Sequence, residues 1–253
     1  MVKRLFDLVC AVVGLLLVAP LLALAGLGIL LADGAPVLYR ARRAGLRGRP
    51  FTMYKLRTMQ VHHGGAGSRV TAAEDPRVFP FGRFLRLSKI DEFPQLVNVL
   101  RGEMSIVGPR PEDPDFVARH YSANHWETLS VRPGLAGPGS LYHETHCEWR
   151  LNGADPEAVY VEQILPLKLA LDLVYVRRAS LRYDLALLGR TLGVIARKLT
   201  GRRDFPDPPE MAEARELATP ARYLTVRGST TAAAGRPRTP PRHLTQLDSE
   251  VRS

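Results

Sequence analysis

From Leu8 to Ala32 the chain runs 25 residues without a charge. As a helix such a run is roughly 37 Å long, enough to cross the hydrocarbon core of a bilayer. Three arrangements compete for it. A cleaved signal peptide, with Lys3 and Arg4 as its basic start and Ala23-Leu24-Ala25 as its small-residue site, is disfavoured, because the apolar run continues past that site. A spanning helix fits the five arginines that follow, Arg40, Arg42, Arg43, Arg47 and Arg49, which place the remainder in the cytoplasm. A re-entrant hairpin fits equally well. Pro20 sits mid-run, where it removes a backbone hydrogen bond and kinks a helix, and both flanks are basic.

The formal net charge is +10, of which nine Arg against seven acidic residues leave only +2 after Gly201. The basic part is therefore residues 1–200, and it suits a polyanionic partner: nucleic acid, anionic lipid or a phosphorylated substrate. No helix-turn-helix, zinc-finger or aromatic-basic RNA signature is visible, so no nucleic acid is expected. Two distant cysteines, Cys10 and Cys147, suggest no disulfide framework.

Pro50–Tyr54 reads as a strand and residues 61–75 as a glycine-rich flexible loop. A short helix is expected from Pro94 to a stop at Gly102, then an extended piece over Met104–Val107. Apolar residues at helical spacing predict helices over 157–199, mostly core-packing, with arginines that also suit an anionic membrane surface. After Gly201 the Pro, Arg, Thr and Ala content predicts a disordered tail. The expected division is 1–36 membrane hairpin, 37–200 catalytic domain and 201–253 tail.

Asp91 and Glu92 precede the Phe93-Pro94 step. A residue before proline disfavours helical angles, so the pair is expected in the turn before a helix start. Partial positive charge there favours an ionised carboxylate and attracts phosphate. Ser88 and Asp91 also fit a capping box, which needs no chemistry. Gly108-Pro109-Arg110-Pro111 fixes an arginine between two prolines and presents its planar fork to an anion. His143, Glu144, His146, Cys147 and Glu148 match no firm zinc spacing and read as a polar loop.

At these residues the chain resembles the bacterial sugar transferase family, the small monotopic phosphoglycosyl transferases. The matching pieces include Phe51–Met59, Asp75–Val78, Gly82–Arg86, Ser88–Leu100, Gly102–Pro111 and Arg132–Gly137. The resemblance implies an α+β, mainly helical fold: a re-entrant membrane helix kinked at Pro20, then a compact cytoplasmic catalytic domain with amphipathic surface helices. It implies transfer of sugar-1-phosphate from a UDP-sugar to polyprenyl (undecaprenyl) phosphate, with release of UMP, as the first step of surface-glycan assembly. Asp91 would be the covalent nucleophile and Glu92 its dyad partner, the two also binding Mg²⁺; Lys55, Arg57, Arg86 and Arg110 would hold phosphate. Anionic membrane lipid is an expected partner, a homodimer is a candidate assembly, and the cytoplasmic face of the bacterial inner membrane is the expected location. Two departures stand out. Ala19 replaces the serine common before the kink proline, and Pro138–Tyr142 replaces a Trp-Ala-Gln stretch, so the sugar pocket is expected to differ.

Overall fold

The structure, a computed structural model, describes residues 2–60, 75–151, 155–202 and 204–218. It is mainly helical with two small two-stranded sheets. The uncharged run lies within one helix, α1 (Val2–Asp33), continuous through Pro20. One face of α1 packs on the body: Ala11 joins Leu96, Val99 and Ile106, and Ala25 and Ile29 join Leu56, Leu85 and Ile90. The other face leaves Leu16, Leu17, Leu24 and Leu31 at least 66% exposed. A band of bare leucines on one helix face calls for an apolar partner outside the described residues.

Both ends of α1 are tied to the same body. At the start, Lys3 Nζ donates to Asp184 Oδ2 (2.6 Å) and Arg4 donates to the carbonyls of Val99 and Leu100 (2.7 and 3.0 Å). Asp7, buried, accepts from Ser105 Oγ (2.9 Å) and Ile106 N (3.0 Å). At the end, Arg57 donates to the Asp33 carboxylate, to Asp33 O (3.0 Å), to Gly34 O and to Pro36 O (2.6 Å). Asp33 O is an orphan carbonyl of the helix terminus, and Gly34 O and Pro36 O belong to the chain just past it, so one guanidinium closes the end of α1.

β1 (Leu38–Ala44) and β2 (Pro50–Leu56) form an antiparallel ribbon, with Leu38 opposite Leu56 and Ala44 opposite Pro50. The expected strand at Pro50–Tyr54 is therefore present and extends to Leu56. The loop expected at residues 61–75 lies outside the described residues up to 74. α2 (Pro80–Ser88) leads through Lys89 into a single 3₁₀ turn, Ile90–Glu92, and on to α3 (Gln95–Arg101). Phe93 takes helical angles (φ −58°, ψ −31°), contrary to the pre-proline expectation. Successive turn bonds carry the chain through: Phe93 N to Ile90 O (3.3 Å) and Leu96 N to Phe93 O (3.0 Å). Ser88 does not cap this helix; its hydroxyl donates back to Phe84 O (2.9 Å).

β3 (Ser105–Val107) pairs in parallel with β4 (Gly134–Ala136). Gly108 is needed where the two meet, since a Cβ there would stand 2.5 Å from Arg132 O. α4 (Pro114–His120) is capped by Asp113, whose carboxylate accepts from Asp115 N (3.0 Å) and Phe116 N (3.2 Å). α5 (Pro138–Tyr142) runs into one π turn, His143–Cys147, where a polar loop was expected. Cys147 buries its side chain there, His146 stacks on Tyr142 and His143 meets the edge of Tyr160. These contacts hold the segment helical.

The predicted helices over 157–199 appear as α6 (Pro156–Val159), α7 (Leu165–Arg178) and α8 (Leu181–Leu199). A second π turn, Tyr160–Ile164, precedes Pro166, which has no N–H to continue a regular ladder. The expectation of a disordered tail from Gly201 is corrected over part of its length. α9 (Met211–Ala218) packs Met211 and Ala214 into the α7 core. Glu210 anchors it by accepting from Arg190 Nη1 and Nη2 (2.9 and 2.6 Å) and from Tyr183 Oη (2.6 Å). Residues 219–253 lie outside the described residues.

Candidate active site

Asp91 and Glu92 lie, as expected, in the turn before a helix start: a buried 3₁₀ turn just ahead of α3. Lys55, from β2, faces them: its Nζ stands 2.7 Å from Asp91 Oδ2 and 3.6 Å from Glu92 Oε1. Arg110, on the proline-braced loop after β3, sets Nη2 3.0 Å from Glu92 Oε1. Lys89 sets Nζ 3.8 Å from Glu92 Oε1 and 2.5 Å from Glu144 Oε1. Lys89 adopts a left-handed backbone (φ 60°), a strained conformation for a side-chain-bearing residue and one that concentrates at functional sites.

The two carboxylates have opposite electrostatic fates. Burial pushes Asp91 above the usual carboxylate range, Lys55 opposes this, and the Glu92 charge adds to it. Burial acts the same way on Glu92, but Arg110, Lys89 and Lys55 together outweigh it and hold Glu92 well below that range. The surrounding cations thus favour charge on Glu92, while burial and the neighbouring Glu92 charge disfavour it on Asp91. Asp91 Oδ1 is buried without a hydrogen-bond partner among the described residues. A buried carboxylate oxygen left bare is costly unless something else comes to it.

The cations above the pair are only partly covered: the side chains of Lys55, Lys89 and Arg110 are 18%, 22% and 32% exposed. Two buried carboxylates thus share three partly exposed cations, a concentration of positive charge suited to an anion. Arg86, in the last turn of α2, donates Nε to Thr58 Oγ1 (2.9 Å) and its charge reaches Asp75.

Of the residues expected from sequence, Asp91, Glu92, Lys55 and Arg110 come together. Arg57 does not join them. Its guanidinium is buried on the α1 terminus and its neighbours are carbonyls and Asp33, so it is a helix clamp. Pro20 lies within α1, far along the chain from the pair. Two residues were missed. Lys89 stands inside the motif beside Asp91 and could have been singled out there. Glu144 carries no local signal, being 55 residues from its partner. Among the described residues no group of three or more His, Cys, Asp or Glu is placed to hold a metal ion.

The described residues thus combine a buried Asp-Glu pair under a cluster of cations with one helix long and apolar enough to cross a membrane. The chain belongs to the bacterial sugar transferase family, whose sequence profile matches residues 1–198. It is 39% identical over 196 residues to the UDP-glucose:undecaprenyl-phosphate glucose-1-phosphate transferase of Caulobacter vibrioides, covering 75% of this chain and 68% of that protein. It is 37% identical to the undecaprenyl-phosphate glucose phosphotransferase of Komagataeibacter xylinus, covering 80% of this chain and 37% of the relative. An Escherichia coli protein named as a UDP-glucose:undecaprenyl-phosphate glucose-1-phosphate transferase is 33% identical, with 76% and 39% covered. The chain therefore spans well under half the length of the last two relatives.

Proposed function

We propose that this chain transfers a sugar-1-phosphate from a UDP-sugar to polyprenyl phosphate, releasing UMP, and so begins assembly of an exopolysaccharide, capsule, O-antigen or glycoprotein glycan. The observation that carries this reading is the bare Oδ1 of Asp91 beneath Lys55, Lys89 and Arg110. In the first step an Asp91 oxygen bonds to the sugar-bearing phosphorus while the bond from that phosphorus to the UMP oxygen breaks. In the second, an oxygen of polyprenyl phosphate bonds to the same phosphorus and Asp91 leaves as carboxylate. Lys55 favours the anionic form of Asp91 before attack, against the burial that raises it, and Arg110 and Lys89 receive phosphate charge.

Magnesium takes oxygen ligands and keeps several waters. Asp91, with one oxygen bare, fits as its protein ligand; Glu92 does not, because Arg110, Lys89 and Lys55 already crowd its carboxylate. Bound beside Asp91, the ion supplies neutralisation of the diphosphate.

The membrane reading is a re-entrant α1 at the cytoplasmic face. Both ends of α1 are held by one body, through Lys3–Asp184 and Arg57–Asp33. A helix so clasped does not traverse a bilayer and leave that body wholly on one side. Its exposed leucines enter the lipid from the side that holds the body, and the arginines of β1 lie toward anionic headgroups.

The test is trapping. Enzyme in membranes, given sugar-labelled UDP-sugars one at a time without lipid acceptor, is digested and the label mapped. Label on Asp91 with one UMP per enzyme is expected, and Asp91→Asn abolishes both. Substantial turnover by Asp91→Asn, or UMP released only when polyprenyl phosphate is present, replaces this mechanism with direct displacement.

A further inference from the structure

Lys168 is a buried cation that the transfer chemistry just described does not use. It lies on α7 among Leu165, Leu169, Ala170 and Leu171, and its side chain is 2% exposed. Its Nζ donates to Glu112 Oε1 at 2.6 Å, and the same oxygen accepts from Tyr160 Oη at 2.7 Å. The ammonium also lies 5.9 Å from the Tyr160 ring centroid. Burial pulls Lys168 down, but Glu112, Tyr121 and Asp172 together outweigh it and the group rises to about 12; Glu112 in turn falls to about 2, against its own burial, because of Lys168, Tyr160 and Arg43.

A pair of this kind is a poor way to stabilise a fold. Two apolar side chains of similar volume commonly serve as well or better. What the pair does supply is position. Glu112 is joined through Pro111, whose φ is fixed, to Arg110. Its backbone carbonyl accepts from Ala44 N (2.8 Å), which ties it to β1. On the other side of Arg110, Gly108 N donates to Ala136 O (2.8 Å) and Gly134 N to Pro109 O (2.9 Å). The Arg110 backbone is therefore pinned before and behind; behind it Glu112 is held twice, by its carbonyl on Ala44 N and by its carboxylate on Lys168 and Tyr160.

We propose that Lys168 is a positioning residue for phosphosugar transfer, acting through Glu112 and Pro111 to aim Arg110 at Glu92 and at the donor diphosphate. This rests on the transferase reading above. Lys168 touches no reacting atom. Its loss leaves the buried Glu112 carboxylate without its countercharge, so the side chain shifts away from α7 about the remaining Tyr160 and Ala44 bonds and changes the aim of Arg110.

Two measurements on full-length protein in lipid nanodiscs test this. One is donor kcat/KM; the other is the rate at which phenylglyoxal modifies Arg110, read by mass spectrometry and independent of turnover. Lys168→Met is expected to lower kcat/KM about tenfold or more, the scale of a catalytic group displaced by under an ångström or so. It is also expected to speed Arg110 modification severalfold, and Lys168→Arg to restore both. In an Arg110→Ala background Lys168→Met should cost nothing further in kcat/KM, as it acts through the missing group. Should Lys168→Met fail to fold, Glu112→Gln weakens the same link and is read by the same two measurements. Unchanged kcat/KM and Arg110 modification in a folded variant, or losses that multiply with Arg110→Ala, overturn the proposal. If wild-type protein transfers no sugar phosphate from any UDP-sugar, the transferase reading fails, while the modification rates still decide whether Lys168 places Arg110.

Discussion

Lys55 Nζ pairs with Asp91 Oδ2 at 2.7 Å and leaves Oδ1 of the same carboxylate bare. The charge is shared by both oxygens, but the ion pair with Lys55 is made on one side only, and among the described residues none donates a hydrogen bond to Oδ1. The pairing also sets when the carboxylate is anionic, because Lys55 works against the burial that raises Asp91.

Removing Lys55 should therefore raise the Asp91 titration further. The sign is fixed: a cation that favours the charged form is lost, so a larger share of Asp91 is protonated at any given pH. In Lys55→Met the acid limb of single-turnover UMP release should move to higher pH, with lower release at neutral pH. An acid limb that stays in place would show that Lys55 does not tune Asp91.

Arg57→Ala separates a clamp from a phosphate ligand. Arg57 is buried and ion-paired to Asp33. Breaking such a pair from one side costs about 3–5 kcal/mol. The variant should melt at much lower temperature, while folded protein keeps its donor KM. A raised KM at unchanged stability would return Arg57 to the anion site.

Truncation after Gly201 removes Glu210, Met211 and Ala214, all buried. The loss of that packing and of the Glu210 bonds to Arg190 and Tyr183 should destabilise by on the order of 3 kcal/mol or more. A chain ending at Ala218 retains these contacts and is the control. Equal melting temperatures for the two truncations would show that α9 contributes nothing.

Cysteine placed at Val2 and at Arg49 reads the course of α1. Both positions are exposed. Maleimide added to sealed, right-side-out cells should reach neither, and both should label after permeabilisation. Labelling of position 2 from outside means a spanning helix.

What could be read from the sequence was local. The uncharged run became α1, Pro50–Tyr54 became β2, and the short helix ending at Gly102 became α3, because spacing and stop residues act over a few positions. What could not be read was pairing at a distance. Arg57 meets Asp33 through a ribbon that folds back, and Lys168 meets Glu112 from 56 residues away. Nothing near Arg57 distinguishes a guanidinium that caps a helix from one that holds phosphate. Composition averaged over the tail concealed α9, whose Met211, Ala214 and Leu217 recur every third residue within a polar stretch. The pre-proline rule failed at Phe93 because turn bonds on both sides outweigh a local steric preference.

The clasp on α1 sets an order of events during synthesis. Asp7 awaits Ser105, 98 positions later, and Lys3 awaits Asp184, 181 positions later. At ribosomal speed the second interval lasts roughly 10 to 40 s. Throughout it the apolar helix is complete and the surface that will receive its polar end does not yet exist. With α1 in lipid as proposed, the anchor is delivered before the enzyme it anchors, and the nascent body closes around a helix already in place.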